Sequence, residues 1–363
     1  MNPDTLEQKV GQLFFIGISG PAIDDSTRRL LIEIKPGGIC LFSRNIKTAD
    51  QTRYLLDALR ENLPFEPFFS VDQEGGLVDR LRRIVTPMPS ANKIRNARDA
   101  SEFGEVVGEL LSMLGFNMNF APVVDVISIG RENPTNGLFS RGLGRDENEV
   151  TQFAGTFLDS LQAHGIIGCI KHFPGIGASA VDSHEELPQV NIDETEFDAV
   201  DLAPYRTLIR SNTVEMVMVG HAAYPHLKLQ ERDQNGRLLP SSLSHNFVTK
   251  VLRNDLGFGG IAITDDLEMG AVVNAYGIGE ACKMAINAGN DMLAICAKES
   301  AVREGFNAVL EAVRSGAITE SQIAKSLSRI ERLRSKLSKP IDLDHGRLLE
   351  LSEKIKVLNS RLS

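Results

Sequence analysis

Short apolar runs alternate with longer amphipathic stretches along the whole chain. Eight of these runs have the length and near-continuous hydrophobicity of strands that are buried on both faces. They are QLFFIGI, GGICLFS, FFSVDQEG, NMNFAPVVDV, IIGCIKHF, VEMVMVGHA, GGIAITDD and DMLAICA. The stretches between them have helical periodicity, and several begin at Ser, Thr or Asn and end at Gly, as helices commonly do. The pattern therefore predicts eight successive β-then-α units.

Eight β-then-α units favour an α/β fold of the closed (β/α)8, or TIM, barrel type, with a doubly wound open sheet as the alternative. We place the barrel in residues 1–317 and a helical extension that packs on it in residues 318–363. The extension contains a predicted helix, SQIAKSLSRIERLRSKLS, and then a polar tail. Because no Pro- or Gly-rich linker divides the chain, we expect a single domain.

The composition narrows the class of protein. A hydrophobic share of 42% and a charged share of 24% are ordinary for a globular chain of 363 residues. The formal net charge of −9 disfavours nucleic acid and anionic membranes as partners. No apolar run approaches the roughly 20 residues that span a bilayer. We therefore expect a small neutral or polar substrate, no nucleic-acid or membrane partner, and a monomer or homodimer.

The first residues of the chain indicate where in the cell the protein is expected, and its cysteines indicate whether it is expected to bind a metal or another cofactor. The segment MNPDTLEQKV has no secretory-signal character, which favours a cytoplasmic protein. The four cysteines lie far apart and show no metal-ligand pairing, so we expect buried free thiols, no metal and no other cofactor. They are Cys40, Cys169, Cys282 and Cys296.

Polar residues follow most of the predicted strands, where the active sites of such barrels lie. They are Asp72, Glu74, Asp125, Lys171, His172, His221, Asp265 and Asp266. Taken singly, an aspartate at a strand end is commonly a helix cap or turn residue, and a lone histidine is commonly a buried structural one. A barrel would bring all of them to one opening, which independent capping roles would not predict.

Two segments carry groups suited to proton transfer and nucleophilic attack. Asp265 ends the IAIT run, where a strand would hold a carboxylate rigidly as a nucleophile or charge stabiliser. The segment KHFPGIGASAVDSHEELP contains glycines and small residues, and we expect it to move. If it is extended, Asp182 can hydrogen bond one nitrogen of His184 and leave the other for substrate. The segment therefore predicts an acid/base dyad.

Several motifs occur in one order from about residue 5 to residue 315. They are GGICLFSRN, VDQEGG with Arg80, FAPVVDV, SRGLGRDEN, KHFPG followed by DSH, HAAYP, PSSLS and ITDDLEMGAV. On these motifs the chain resembles glycoside hydrolase family 3, and specifically its β-N-acetylhexosaminidase branch. That branch includes bacterial enzymes that release N-acetylglucosamine during cell-wall recycling.

The resemblance implies a (β/α)8-type barrel and a retaining double displacement. Asp265 would attack the anomeric carbon, and His184, oriented by Asp182, would act as acid and then base. This departs from the usual pair of carboxyl groups about 5–5.5 Å apart, because a histidine takes the place of the acid. The resemblance also assigns residues that bind the hydroxyl and acetamido groups of the sugar. They are Asp72, Arg80, Arg141, Lys171, His172 and His221.

The implied activity is removal of terminal non-reducing β-N-acetylglucosamine, in peptidoglycan recycling or chitooligosaccharide breakdown. A β-glucosidase, a phosphorylase on the same scaffold and an inactive sugar-binding relative are the alternatives. A metal-dependent amidohydrolase is disfavoured because the early strands lack an H-x-H pair.

Two positions depart from the pattern of the branch. Ile176 replaces the second histidine of a P-G-H-G sequence, and Leu77 replaces an arginine that often follows DQEGG. We expect these changes to affect the closed geometry of the loop and the leaving-group preference rather than the chemistry. For Glu185, Glu186 and Asp266 we favour a surface, capping or supporting role.

Overall fold

The computed structural model describes residues 5–128, 130–131, 137–179 and 186–363. Each of the eight predicted apolar runs contains a strand. The strands are β1 Phe14–Gly17, β2 Gly38–Leu41, β3 Phe68–Val71, β4 Met118–Asn119, β5 Ile167–Phe173, β6 Met216–Val219, β7 Ile261–Asp266 and β8 Met292–Ile295. Apart from the last two residues of β7, every strand residue is buried, which explains why the runs lack an alternating polar face.

The strands form one parallel sheet in the order β3-β2-β1-β8-β7-β6-β5-β4. The first and last strands are neighbours, with Phe14 paired to Leu293 and Phe15 paired to Ala294. This pairing of β1 with β8 curls the sheet into a barrel. The predicted (β/α)8 barrel is therefore confirmed, and the open-sheet alternative is excluded.

The barrel has a seam between β3 and β4, where the described residues form no regular strand ladder. Two backbone hydrogen bonds, of 2.9 and 3.2 Å, cross it. Asparagine side chains supply further hydrogen bonds across the seam. The side chain of Asn117 accepts from the backbone N–H of Phe69 at 2.7 Å. Likewise, Asn119 accepts from the N–H of Gln73 at 3.0 Å. The seam is thus closed partly by side chains.

Helices surround the barrel, and the predicted Ser, Thr or Asn starts are observed at several of them. Thr48 and Asn96, for example, each cap a helix by accepting a backbone N–H. The helices are α1 Leu6–Gly11, α2 Asp25–Ile34, α3 Ala49–Glu61, α4 Ala97–Leu114, α5 Glu147–Ala163, α6 Glu194–Glu196, α7 Leu202–Arg210, α8 Gly270–Ala288, α9 Glu299–Arg314, α10 Glu320–Arg334 and α11 His345–Leu362, with π-helical turns at Phe197–Asp201 and Asn246–Asp255. Within the described ranges, none of the helices is both long enough and apolar enough to cross a membrane.

The last helix, α11, corrects the sequence interpretation, which took this part of the extension for a polar tail. Its buried side chains recur every three or four residues and form one apolar stripe. They are Leu348, Leu351, Ile355, Leu358 and Leu362. The helix lies against α4, where the guanidinium of Arg347 pairs with the carboxylate of Glu109 at 2.5 and 2.8 Å. The division of the chain at residue 317 stays a prediction.

Helix α11 also holds the loop that follows β3. The side chain of Asn359 donates to the carbonyl of Pro87 at 2.9 Å. The next residue, Met88, accepts from the backbone N–H of Gly76 at 3.1 Å. Its own N–H donates to the carboxylate of Asp79 at 2.9 Å. A chain of short contacts therefore links α11 to the DQEGG turn.

Replacing Leu351 by alanine tests the contribution of α11 to the fold. Leu351 is fully buried, so Leu351→Ala should lower the free energy of unfolding by about 2–5 kcal/mol. The neighbouring Leu349 is 71% exposed, and Leu349→Ala should change it by less than about 0.5 kcal/mol. Guanidinium chloride unfolding of the two variants measures the difference. Equal midpoints would show that α11 adds nothing to the cooperative core.

Candidate active site

A cavity of about 400 Å³ opens at the carboxyl ends of the strands. Its size is that of a small-molecule site. Residues far apart in the sequence meet around it, as the barrel prediction required. Of the predicted site residues, those that line the cavity are Asp72, Arg80, Arg141, Lys171, His172 and Asp265. Their individual roles stay predictions.

Lys171, on β5, is the centre of the charged cluster in this cavity. Its side chain is 2% exposed, and its ammonium lies 2.7 Å from a carboxylate oxygen of Asp72 and 2.6 Å from one of Glu74. Burial by itself would lower the pKa of Lys171, but the two carboxylates outweigh it and raise the pKa above its usual value. Lys171 is therefore a fixed cation.

Arg141 completes the cluster from the loop after β4. Its guanidinium forms a bidentate ion pair with the carboxylate of Glu74, with N···O distances of 2.7 and 2.9 Å. Burial would raise the pKa of Glu74, but Arg141 and Lys171 hold it well below its usual value. From the sequence, Glu74 is only one of the polar residues expected at the strand ends, and its place two residues after Asp72 is the signal that could have suggested a part in the site. Glu74 positions both cations.

His172 is oriented by Asp125, a fully buried residue after β4. The Nδ1 atom of His172 lies 2.7 Å from a carboxylate oxygen of Asp125, which also accepts the backbone N–H of His172 at 3.2 Å. The other oxygen accepts the N–H of Ile176 at 2.8 Å. This leaves the Nε2 atom of His172 3.5 Å from Arg141. A carboxylate that fixes a ring in this way also selects its tautomer.

Asp265 lies near the end of β7 with its carboxylate in the cavity wall. One oxygen accepts the backbone N–H of Asp266 at 2.8 Å. Burial would raise the pKa of Asp265, but His172 and His221 lower it below the usual value. The side chain is therefore an anion held in one place, which is the state that a carboxylate nucleophile requires.

His221 does not line the cavity. Its Nδ1 atom lies 2.7 Å from the hydroxyl of Ser242, and its Nε2 atom lies 3.1 Å from the carbonyl oxygen of Asp266. Burial lowers the pKa of His221 below its usual value, which favours the neutral ring. Its two hydrogen-bond partners are therefore protein groups, one in Ser242 and one at the end of β7, and the predicted contact with substrate stays a prediction.

Asp266 lines the cavity beside Asp265, and sequence reasoning gave it only a capping or supporting role. It does cap the next turn, because its side chain accepts the backbone N–H of Glu268 at 3.0 Å. Burial, helped by the neighbouring carboxylates, raises its pKa to about 7. Below about pH 7, the two adjacent carboxyl groups of Asp265 and Asp266 therefore favour different charge states.

Arg80 lines the cavity from the turn after β3. Its backbone N–H donates to the side chain of Gln73 at 2.9 Å, which fixes the residue in the turn. Its Nε atom is buried and has no hydrogen-bond partner among the described residues. Buried donors are almost always paired, so this atom is an exception in the cavity wall.

The two positions that depart from the family pattern lie in different places. Ile176 is 6% exposed and forms part of the cavity wall, so an apolar group stands where the branch commonly has a histidine. Leu77 is 73% exposed and does not line the cavity. The predicted dyad, Asp182 and His184, lies outside the described residues, as does Glu185.

The glycines of the loop after β5 have a packing role. A Cβ atom on Gly177 would lie 2.1 Å from the carbonyl oxygen of Val126. Gly175 has φ +121°, and a Cβ there would lie 2.8 Å from the Cβ of Asp201. We interpreted these glycines as a sign of mobility, but close approach of the backbone already requires them.

The cysteines are buried and free, as predicted. Cys40 and Cys296 reach the cavity wall, but burial raises the pKa of both thiols well above the usual value. Neither is therefore a reactive thiolate. In the part of the chain that the structure describes, no group of three or more His, Cys, Asp or Glu side chains is arranged to hold a metal ion.

The sequence model described as the glycosyl hydrolase family 3 N terminal domain matches residues 5–333. The chain belongs to glycosyl hydrolase family 3. A protein named beta-hexosaminidase from Tolumonas auensis is 33% identical over 305 residues, covering 83% of this chain and 86% of that protein. Beta-hexosaminidase A from Pseudoalteromonas piscicida is 30% identical over 325 residues, covering 83% of this chain. The match spans only 53% of that relative's length.

Solved structures agree with this family assignment. The family 3 β-N-acetylglucosaminidase of a Paenibacillus strain superposes with a TM-score of 0.88 and is 33% identical. The superposition covers 98% of this chain and 69% of that one. These relatives confirm the predicted resemblance to the β-N-acetylhexosaminidase branch of family 3 glycosidases.

Replacing Asp266 by asparagine tests the raised pKa. The carboxyl has an ordinary pKa near 4 when unfolded and about 7 when folded, so the folded state binds the proton more tightly between these values. The free energy of unfolding of the wild type, compared with that of Asp266→Asn, should therefore fall as the pH rises from about 5 to 7. The difference should become constant above about pH 8. Denaturant unfolding at each pH measures this.

The exposed residue Asp342 supplies the control, since Asp342→Asn also removes one carboxylate. A wild-type to Asp266→Asn difference that stays constant with pH would contradict the raised pKa.

Proposed function

We propose that this protein is an exo-acting, retaining β-N-acetylglucosaminidase that hydrolyses terminal non-reducing N-acetylglucosamine. The observation that carries the proposal is the meeting of ionised Asp265 with the Lys171, Arg141 and Asp72 cluster in one cavity. Relatives named beta-hexosaminidase and β-N-acetylglucosaminidase support the choice of sugar.

The charged cluster suits a ligand rich in hydroxyl groups. Lys171, Arg141 and Arg80 offer donors, and Asp72 offers a partly exposed acceptor. Because ion pairs and backbone contacts hold these groups in place, a sugar that matches them loses little free energy in ordering them. A sugar that lacks a matching group would leave one of these donors or acceptors without a hydrogen bond in the complex. A cavity of about 400 Å³ is closer to one sugar unit than to a polymer groove, which favours removal of single terminal units.

In the first step, a carboxylate oxygen of Asp265 bonds to the anomeric carbon while the bond to the leaving oxygen breaks. That oxygen takes a proton from the general acid. In the second step, water attacks the anomeric carbon, the base takes a proton from the water, and Asp265 leaves as a carboxylate. Two displacements at one carbon retain its configuration.

We assign the acid and base roles to His184, oriented by Asp182. Support comes from the DSH motif and from the physical fit of imidazole to proton transfer near neutral pH. A role in cell-wall recycling or chitooligosaccharide breakdown stays a proposal that rests on the resemblance. The cytoplasmic location expected from the sequence likewise stays a proposal.

Asp265→Asn tests the nucleophile. The wild type should hydrolyse an aryl β-N-acetylglucosaminide faster than the aryl β-glucoside, without a requirement for phosphate. The variant should lose roughly 10³-fold or more in kcat, because the attacking anion is gone, while still binding N-acetylglucosamine. Labelling the wild type with a 2-acetamido-5-fluoro glycoside and mapping the peptide should place the sugar on Asp265. A label elsewhere, or a sugar 1-phosphate as product, would refute the proposal.

His184→Ala tests the acid. Good leaving groups need little protonation, so the loss of kcat/KM should be larger for an oligosaccharide than for an activated aryl glycoside. A series of aryl leaving groups of increasing pKa measures the trend. Equal losses across the series would show that His184 does not protonate the leaving oxygen.

A further inference from the structure

A second depression, of about 440 Å³, adjoins the cavity. We call it the rim groove, and its lining includes Glu186, Gln189, Arg237, Asn274 and Tyr276. Nothing in the proposed mechanism so far uses these residues.

The rim groove and the cavity share two walls. Pro188 lines the cavity, while its neighbours Leu187 and Gln189 line the groove. In the same way, Met269 lines the cavity and the following Gly270 lines the groove. A ligand that extends out of the cavity past either wall therefore enters the groove.

The wall at Pro188 is fixed to the barrel. The backbone N–H of Ala223 donates to the carbonyl of Pro188, and that of Val190 donates to the carbonyl of Ala223, both at 2.8 Å. The segment Pro188–Val190 thus runs alongside the residues that follow β6 and is held in place by backbone hydrogen bonds.

Arg237 is held in position to bind a ligand. Its Nε donates to Asp233 at 2.7 Å and its Nη1 donates to the carbonyl of Ala275 at 3.1 Å. Its guanidinium lies 4.8 Å from the centroid of the Tyr276 ring. The side chain is 46% exposed, and no described residue accepts a hydrogen bond from its Nη2. A positioned guanidinium with an unused donor loses little entropy when it binds.

The chemistry of the groove suits a neutral sugar. Arg237 donates, Glu186 accepts, and the carboxamides of Gln189 and Asn274 do both. The ring of Tyr276 adds apolar surface in a chain that has no tryptophan. An anionic ligand would meet the carboxylate of Glu186 as well as Arg237. Mixed donors, acceptors and apolar contacts match the hydroxyl, acetamido and C–H groups of an N-acetylhexosamine.

We propose that the rim groove binds the sugar unit on the leaving-group side of the scissile bond, as a second neutral N-acetylhexosamine. This proposal rests on the proposed function. An exo-acting enzyme holds the terminal unit over Asp265, so the rest of the substrate has to leave the cavity. Glu186 comes two residues after His184, to which we assign protonation of the leaving oxygen.

Arg237→Ala and Gln189→Ala test the groove with two substrates, N,N′-diacetylchitobiose and an aryl β-N-acetylglucosaminide. Both place the same sugar in the cavity, but only the disaccharide places a sugar in the groove. Arg237→Ala should lower kcat/KM for the disaccharide about tenfold more than for the aryl glycoside. Asp233 organises the turn that carries Arg237, and Gln189 is exposed and lies outside that turn. Gln189→Ala therefore tests the groove without disturbing the turn. It should lower kcat/KM for the disaccharide about threefold more than for the aryl glycoside.

Arg232→Ala is the matched control. Arg232 is exposed in the same turn and donates to the carbonyl of Gly236, but it does not line the groove. It should leave the ratio of the two kcat/KM values unchanged. If Arg237→Ala and Gln189→Ala each lose equal activity on both substrates, the rim groove does not bind the leaving-group sugar, and the proposed function still stands. A wild type inactive on both substrates would overturn both proposals.

Discussion

A buried lysine ammonium joins the two sides of the barrel where its backbone ladder is weakest. The described part of β4 is two residues long, and Lys171 reaches from β5 across the β3–β4 seam to Asp72 and Glu74. Arg141 then closes the cluster from the loop after β4. Burying such charges costs several kcal/mol in desolvation per ion, so the cluster is poor evidence for stability. What the cluster provides is a set of polar groups that are fixed at the opening of the barrel.

The same cluster sets the electrostatics of the cavity. Lys171 and Arg141 share Glu74, and Lys171 also pairs with Asp72, so two cations face two carboxylates. Asp265 stays ionised beside His172, whereas Asp266 next to it favours the protonated form up to about pH 7. Charges that are fixed before the substrate arrives need no reorganisation during reaction. The site therefore combines one ionised carboxylate, that of Asp265, with neighbouring charges that largely compensate one another.

Much of the fold was predictable because strands buried on both faces give continuous apolar runs. Helix α11 was missed although Leu348, Leu351 and Ile355 are correctly spaced, because charged residues between them dominate the local composition. The need for glycine at position 177 was not predictable, since it arises from the backbone of Val126, 51 residues away. Close contacts between residues so far apart in the sequence are properties of the tertiary structure. The motifs gave residue types and order, and the barrel gave their distances.

The contact between Asn359 and Pro87 ties the active-site architecture to a part of the chain beyond residue 333, where the family match ends. Through Met88, that contact reaches the turn that carries Glu74. A domain boundary drawn from the family match alone would discard a helix that supports one wall of the cavity. For anyone building chimaeras or minimal versions of this enzyme, the catalytic unit therefore includes the helix at His345–Leu362.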